Sequence, residues 1–391
     1  MVLEEDMRRI YLDHAATTPV RDDVLEAMLP HFTQNGYNPS SVHAEGRAAR
    51  ATLDLARERV AAVLGCKPKE IVFCGSGSEA DNLALFGIAR ARRADGRHIV
   101  TTQIEHHAVL HALDALADEG FEVTVLPVDA NGRLEPERFA QALRPDTVLA
   151  AIMYANNEIG TVQPLADLAR LAHARSTTLF TDAVQAPGQL SIGVDALGVD
   201  ALAISAHKFY GPKGVGVLYV REGTPLEPVV HGGGQEYGRR SGTENVAGAV
   251  GLATALEWAE ADRAAFAGRV GGLRDRLQAG LEARIEEIVV NGKGVARLPN
   301  NLSVSFAGLD AEPLLHRLDL EGIAASAGSA CAAGSLEPSH VIAALGLPER
   351  VWRGTVRFSL GRSTTADEID RVLALLPLVV GEQRELASTS V

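Results

Sequence analysis

Short apolar runs alternate with amphipathic segments over residues 70–220 of this 391-residue chain. Apolar runs this short indicate buried strands, and the segments between them place their apolar residues at helical spacing. Strands are expected at residues 70–74, 98–102, 123–128, 147–153, 178–182, 200–204 and 215–220. The alternation predicts an α/β fold with a mostly parallel central sheet flanked by helices.

The same periodicity predicts helices along the whole chain. They are expected at residues 22–32, 44–64, 80–93, 136–142, 164–174, 247–286, 311–319 and 365–380. The long helical segment 247–286 leads to two further predicted strands, at residues 301–306 and 355–359. We therefore expect a large domain over residues 16–260 and a smaller α+β domain formed by residues 1–15 and 261–391.

Composition excludes several classes of function. The net charge of −13 argues against nucleic-acid binding, for which a basic face is usual. The acidic N-terminus is unlike a secretory signal, and no apolar stretch approaches the roughly 18 residues that a membrane helix needs. The three cysteines, Cys66, Cys74 and Cys331, show no CxxC spacing. We therefore expect neither a disulfide framework nor a metal site, and we expect a cytoplasmic protein.

Lys208 follows a predicted buried strand and has no helix to place it in solvent. It comes shortly after the run 200–204 and before a Gly/Pro turn, and only five of the 37 Lys and Arg residues are lysines. A lysine amine can form a Schiff base, whereas a guanidinium cannot. A solvated turn lysine is the simpler alternative for this position.

Other polar residues also follow strands or begin helices. The turn at residues 75–79 leads into a helix, so backbone N–H groups together with Ser76 and Ser78 would face a phosphate. Asp182 ends a buried strand, and His106 begins a helix. Ligands bind at the carboxyl ends of strands in such sheets. A simple tight turn, a helix-capping aspartate and a helix-capping histidine are the alternatives at these three places.

Taken together, these residues match what pyridoxal 5′-phosphate (PLP) requires. The phosphate needs a helix N-terminus, the pyridine nitrogen needs a carboxylate, and the aldehyde needs a lysine. Lys208 would form the Schiff base, Asp182 would hold the ring nitrogen, and His106 would stack on the ring. The candidate cofactor residues are Gly77, Ser78, His106, Asn157, Asp182, Gln185, Ser205, His207 and Lys208.

The chain resembles the cysteine desulfurases, which are PLP enzymes of the aspartate-aminotransferase fold. The resemblance covers nearly the whole chain and is carried by motifs at residues 11–19, 38–43, 105–106, 156–160, 182–185, 205–214 (SAHKFYGPKG), 240–243 (RSGT) and 326–331 (SAGSAC). Residues 326–331, together with 335–338 (SLEP), resemble the housekeeping iron–sulfur-cluster subgroup.

This resemblance implies L-cysteine as the substrate, with Arg357 and Asn157 binding it and Arg357 clamping its carboxylate. It implies transfer of the substrate sulfur to Cys331 as a persulfide. From there the sulfur would pass to an acceptor such as an iron–sulfur scaffold protein, or would be used for tRNA thiolation or other sulfur-containing cofactors. It also implies a homodimer, in which Thr243 reaches the phosphate of the partner subunit's cofactor.

The implied mechanism gives two residues a role in moving protons. The Lys208 amine takes the proton from the substrate Cα, His106 shuttles protons, and the product is L-alanine. An aminotransferase or a selenocysteine lyase on the same scaffold is an alternative, as is a structural protein with a degenerate site. The sequence departs from the usual family pattern in two places. Gly75 and Gly77 would loosen the phosphate turn, and the tail of eleven residues after Val380 is shorter than the tail that docks a scaffold protein in longer relatives.

Overall fold

The computed structural model describes residues 9–328 and 339–389, with side chains described as far as residue 387. The α-helices are α1 (Asp22–Met28), α2 (Ala44–Leu64), α3 (Gly77–Ala91), α4 (His107–Asp118), α5 (Pro136–Ala142), α6 (Leu165–His173), α7 (Val194–Leu197), α8 (Val246–Arg284), α9 (Ala311–Leu320), α10 (His340–Ala344), α11 (Glu349–Trp352) and α12 (Ala366–Thr389). The strands are β1 (Ile10–Tyr11), β2 (Ile71–Cys74), β3 (His98–Thr102), β4 (Glu122–Leu126), β5 (Thr147–Ala151), β6 (Thr178–Asp182), β7 (Ala201–Ser205), β8 (Gly216–Val220), β9 (Ile288–Asn291), β10 (Asn301–Phe306), β11 (Ile323–Ala324) and β12 (Thr355–Ser359).

A seven-stranded sheet forms the centre of the molecule, in the order β2-β8-β7-β6-β5-β3-β4. Strand β8 is antiparallel to both of its neighbours, and every other pairing in this sheet is parallel. The predicted α/β fold with a mostly parallel sheet is confirmed. All five residues of each of β3, β5, β6 and β7 are buried, as expected of strands with helices on both faces.

Side chains alternate between two apolar clusters, one on each face of this sheet. In β7, Leu202 and Ile204 join the cluster on one face, whereas Ala201 and Ala203 join the cluster on the other. This is the period of two that a pleated strand imposes. The side chains within these strands therefore pack in the core, and the polar residues suited to chemistry lie at the strand ends and just beyond them.

A second, antiparallel sheet of three strands has the order β12-β10-β9, and β1 pairs with β11 in a separate parallel ribbon. These strands share a core with α9 and α12. Helix α8 joins the two cores: Ala259 still packs in the core of the large sheet, whereas Phe266 packs in the second core. We propose that the expected division between residues 260 and 261 lies here.

The last helix is longer than its predicted bounds, because α12 continues to Thr389 where an end at Val380 was expected. Pro377 lies inside it and cannot donate to the carbonyl of Leu373. That carbonyl accepts instead from Nη1 of Arg284 at 2.6 Å, which offsets the missing bond. The residues after 380 are mostly good helix formers, so the helix goes on.

The predicted helix 22–32 is also wrong in its extent, since α1 ends at Met28 and a 3-10 turn, Leu29–His31, follows it. Pro30 lies in this turn and has no N–H to continue an α-helix.

Strand β9 was missed because its short apolar run comes directly after the long helix α8. Within the described parts of the chain, no helix is both long and apolar enough to cross a membrane.

Candidate functional site

A cavity of about 490 Å³ lies at the carboxyl ends of the parallel strands. This is the size range of small-molecule sites. It is lined by most of the residues predicted for the site, which are Gly77, Ser78, His106, Asn157, Asp182, Gln185, Ser205, His207, Lys208 and Arg357. Two predicted residues are not among those that line the cavity. Thr243 lies away from it and is exposed to solvent, and Cys331 lies outside the described residues.

The N-terminus of α3 forms one end of the cavity. Ser76 caps this helix, since its Oγ accepts from the N–H of Glu79 at 3.0 Å. Gly77 packs closely against the next strands, because a Cβ there would lie 2.9 Å from Cγ2 of Val184 and 3.2 Å from Cβ of Ser205. The first N–H groups of a helix have no partner within it, so this end of α3 is suited to an anion.

The carboxylate of Glu79 holds the turn at residues 75–79 in place, although this turn contains two glycines. Oε2 of Glu79 accepts from the N–H of Gly75 at 2.7 Å, and Oε1 accepts from Nε of Arg240 at 2.6 Å. Arg240 belongs to the loop that carries Thr243. The turn at residues 75–79 is therefore tied both to its own helix and to a distant loop.

The amine of Lys208 points into the cavity and is held by backbone carbonyls. Its Nζ donates to O of Ala15 at 2.6 Å and to O of Ala16 at 2.8 Å. Gln185 supports the same segment, because its Nε2 donates to O of Ala15 at 3.0 Å. The alternative of a solvated turn lysine is therefore wrong, since the 3-10 turn Ala206–Lys208 directs this side chain inward.

His207 lies beside Lys208 with its Nδ1 3.1 Å from Oγ1 of Thr17. Burial, together with the nearby Lys208 and Lys213, lowers the pKa of His207 to about 4. The ring is therefore neutral at physiological pH. It can take part in a hydrogen bond without adding positive charge next to the lysine amine.

Asp182 and His106 face each other across the cavity floor. Burial raises the pKa of Asp182, whereas the neighbouring His106 and Lys208 lower it. Oδ1 of Asp182 accepts from the N–H of Val184 at 2.9 Å. Nδ1 of His106 accepts from the N–H of Ala108 at 3.1 Å, so this histidine caps α4 as well as lining the cavity. Burial lowers the pKa of His106, which favours a neutral ring with its proton on Nε2.

Arg357 forms the opposite wall, from the middle of β12. It is only 2% exposed and is held by two acceptors: Nη1 donates to O of Asn157 at 2.9 Å, and Nη2 donates to Oδ1 of Asp13 at 2.7 Å. Its Nε has no partner among the described residues. The guanidinium is thus fixed in place with a buried donor still to be satisfied, as expected of a site for an anion.

Sequence reasoning missed three carboxyls of this region: Asp81 and Glu158, which are buried, and Asp13, which is partly buried. Asp81 and Glu158 line the cavity, and each has an oxygen without a partner among the described residues. Asp81 was detectable in the sequence, because it lies four residues after Gly77 and so shares its helix face. Asp13 carried no such signal, since it meets Arg357 only through the fold.

The two described cysteines are unsuited to nucleophilic chemistry. Burial raises the pKa of Cys66 to about 12 and raises that of Cys74 well above its usual range. The thiolate is the reactive form of cysteine, so both are expected to stay inert thiols. This agrees with their interpretation as small hydrophobic residues.

Comparisons with known proteins agree with this geometry. Residues 10–372 match the Aminotransferase class-V family. The chain is 46% identical over 380 residues to a cysteine desulfurase IscS of Dictyoglomus turgidum, covering 97% of this chain and 96% of the relative. It is 47% identical over 380 residues to a cysteine desulfurase IscS of Methanosarcina thermophila, covering 97% and 94%.

Solved structures with the same fold include a NifS-like protein at a TM-score of 0.90 and 38% identity, covering 96% of this chain and 100% of that one. They also include SspA in complex with cysteine, at a TM-score of 0.80 and 37% identity, covering 90% and 98%.

Proposed function

This chain belongs to the class-V aminotransferase family and is a PLP-dependent cysteine desulfurase, and on that premise we propose a role for each side chain of its site. The observation that carries the assignment is the cavity itself. It brings a lysine amine, a buried carboxylate and a helix N-terminus together at the carboxyl edge of one sheet.

The residues present fit the cofactor. The α3 N-terminus at Gly77 and Ser78 would hold the phosphate, with Ser205 and His207 beside it. Asp182 would hold a proton on the ring nitrogen, Lys208 would hold the aldehyde, and Gln185 would bind a ring substituent. The close packing of Gly77 supports this fit, because a Cβ there would press on Val184 and Ser205, so glycine lets the N-terminus of α3 lie close to these cavity-lining residues. When bound, PLP supplies an aldehyde that bonds to amines and a ring that withdraws electrons from the attached carbon.

Arg357 would bind the carboxylate of L-cysteine. Its buried Nε offers a donor, and the carbonyl of Asn157 with the carboxylate of Asp13 holds the guanidinium plane in place. A planar guanidinium binds a carboxylate through two parallel hydrogen bonds. With the carboxylate fixed at this wall, the substrate Cα would face the opposite wall, where Lys208 lies.

Lys208 would then take the proton from the substrate Cα at its Nζ. The carbonyls of Ala15 and Ala16 hold this atom in the cavity and orient it. His106, neutral and with its proton on Nε2, would pass protons between substrate and surroundings. Positioned proton transfer of this kind contributes roughly 10²- to 10⁴-fold to a rate.

Cys331 would accept the sulfur. Its thiolate attacks the substrate sulfur, an S–S bond forms as the C–S bond breaks, and the bonding pair stays with the substrate Cβ, which takes up a proton to give L-alanine. Two observations support this choice. Burial raises the pKa of the half-buried Cys66 and of the fully buried Cys74, and Gly328 and His340, on either side of residues 329–338, both line the cavity.

A homodimer would complete the site. Thr243 is exposed in the single chain, so the phosphate contact that the resemblance implies would go to the partner subunit's cofactor. Large apolar side chains on α1 and the loop after it are exposed as well, among them Leu29, Phe32 at 60% and Val42 at 88%. Exposed apolar residues in this number are typical of an interface.

The persulfide would pass its sulfur to an acceptor protein, such as a scaffold for iron–sulfur cluster assembly, or into other sulfur-containing cofactors and tRNA thiolation. The free thiols Cys66 and Cys74 suit a reducing compartment, so we propose the cytoplasm. Fractionation of cells that produce the tagged protein would test this location.

The function is tested by turnover of L-cysteine by the purified protein and by Cys331→Ala, with dithiothreitol present and alanine and sulfide measured. We expect both proteins to show the visible absorbance of the cofactor and only the wild type to form alanine and sulfide. Equal alanine from both would contradict the role of Cys331 and favour a lyase or an aminotransferase. Turnover of L-selenocysteine alone would identify a selenocysteine lyase.

A further inference from the structure

A second buried carboxyl, Asp81, lies beside Asp182 and has no part in the reaction described above. It lies on α3 and lines the same cavity. The residue is only 1% exposed, and its Oδ1 has no hydrogen-bond partner among the described residues. A buried oxygen without a donor is unfavourable, above all when it is charged. A bound proton or a ligand would therefore stabilise Asp81 in this position.

Asp81 forms a compact group with Asp182 and His106. One carboxylate oxygen from each aspartate and one ring nitrogen of His106 all lie within 4.8 Å of one another. Two carboxyls this close in a buried site do not both ionise readily, because their charges repel each other. The pair is therefore expected to keep one proton.

The surroundings of the two aspartates differ in a way that decides where this proton resides. Burial raises the pKa of Asp182, but the nearby His106, the backbone N–H of Val184 and the nearby Lys208 all act in the opposite direction and favour its ionised form. Asp81 faces Asp182 at the end of β6 and Glu105 in front of α4. Burial and these two acidic groups raise the pKa of Asp81 well above its usual range.

We propose that Asp81 is a positioning residue of the cofactor site: its carboxyl stays protonated and directs its O–H toward the Asp182 carboxylate, so that the pair presents a single negative charge to the pyridine nitrogen. This inference rests on the proposed role of Asp182 in the desulfurase. One negative charge matches one protonated ring, whereas two would draw in a further proton or cation. The neutral Asp81 would also stabilise Asp182 in its ionised form.

Two variants of similar size separate a neutral donor from an ionised carboxylate. Asp81→Asn keeps an N–H donor and cannot ionise, whereas Asp81→Leu removes the donor without leaving a large void. Without its donor, ionised Asp182 is less stable, so we expect the pH of half-maximal cofactor retention on the acid side to rise by about one unit in Asp81→Leu. Asp81→Asn should retain the wild-type value. Asn82→Ala is the control, because this neighbouring side chain on α3 is half-buried but does not line the cavity.

Infrared spectroscopy of the holoenzyme tests the protonation directly. The difference between wild type and Asp81→Asn at neutral pH should contain the C=O band of a protonated carboxyl. Absence of this band would overturn the proposal, as would a loss of cofactor retention in Asp81→Asn equal to that in Asp81→Leu. A Zn²⁺ ion bound by the wild type and lost in Asp81→Asn would also overturn it, because Asp81 would then be a metal ligand.

If Asp81→Leu does not fold, the infrared difference between wild type and Asp81→Asn still decides the question. Failure of the proposed function would look different, since wild-type protein would then form no alanine and sulfide from L-cysteine, whatever its infrared spectrum shows.

Discussion

The two walls of the cavity are built in different ways. The sheet wall, formed by Gly77, Asp182 and Lys208, consists of residues at the ends of neighbouring parallel strands and at one helix N-terminus. The C-terminal wall, formed by Arg357 and His340, comes from the middle of a strand in the second sheet and from the start of a short helix.

The difference teaches how the work of the site is divided. The sheet wall follows from local rules, because carboxyl ends of parallel strands meet at one edge and a helix N-terminus attracts an anion. It would hold the cofactor. The C-terminal wall depends on contacts between residues far apart in the chain, such as Asp13 with Arg357. It would recognise the substrate, and variants at each wall should therefore fail in different ways.

The largest effect is expected at the sheet wall, from Lys208→Ala. Loss of the Cα base and of the group that holds the aldehyde should reduce kcat on the order of 10⁴-fold. Steady-state kinetics and the visible spectrum of the cofactor measure this change. Lys213 also lines the cavity but has no proposed role, so Lys213→Ala is the matched control. Comparable losses in both variants would remove the distinction that we assign to Lys208.

A smaller but specific effect is expected at the C-terminal wall, from Arg357→Leu. Removal of charged hydrogen bonds to the substrate carboxylate should lower kcat/KM by roughly 10²- to 10³-fold. The cofactor spectrum should remain that of the wild type. Arg357→Lys keeps the charge but not the planar pair of donors, so it should restore activity only partly. Full activity in Arg357→Lys would show that charge alone is sufficient.

Glu105 contacts both walls of the cavity and should make the stability of the folded protein depend on pH. Its carboxylate accepts from the N–H of Met153 at 2.9 Å, and its backbone carbonyl accepts from Nε2 of His340 at 2.8 Å. Burial raises the pKa of Glu105 to about 8, whereas the unfolded chain ionises near 4.5. The folded protein therefore binds the extra proton between these values, and its stability falls as pH rises from about 4.5 to 8.

Glu105→Gln cannot ionise and should lack this loss. Relative to the wild type, its free energy of unfolding should rise by roughly 3 kcal/mol between pH 5 and pH 8. Urea unfolding at fixed protein concentration measures the difference. Parallel stability profiles in the two proteins would mean that Glu105 does not hold a proton in the folded state.

The smallest effect is expected from Asp13→Asn, which leaves Arg357 in place. The amide oxygen can still accept from Nη2, but the charge that fixes the guanidinium is lost. We expect the KM for L-cysteine to rise about tenfold, with kcat and the cofactor spectrum little changed. A fall in KM would instead mean that Asp13 competes with the substrate carboxylate for Arg357.

Much of the fold could be predicted from the sequence. Buried apolar runs and amphipathic segments gave the parallel sheet, because strands buried on both faces leave a clear apolar signal. The bounds of α12 could not be predicted, since the contact of Arg284 with the carbonyl freed by Pro377 is a tertiary one. Strand β9 carries only a short run and has no signal of its own apart from its pairing with β10.

The candidate site divides in the same way. Asp182 and Lys208 follow from their positions at strand ends, whereas Arg357 lies mid-strand and was placed by resemblance alone. Asp13 and Glu158 were not assigned roles, because the sequence does not show which side chains the fold places beside these carboxyls. The part of the site that local rules build was visible in the sequence, and the part that long-range packing builds was not.

The division of work between the walls is tested most directly by titrating the visible spectrum of the cofactor with L-cysteine in Arg357→Leu and in Asp182→Asn. We predict that Arg357→Leu has the wild-type spectrum before cysteine is added and requires about 100-fold more cysteine to change it. Asp182→Asn should show an altered spectrum before any cysteine is added. An altered resting spectrum in Arg357→Leu, or a response at wild-type cysteine concentrations, would contradict the account.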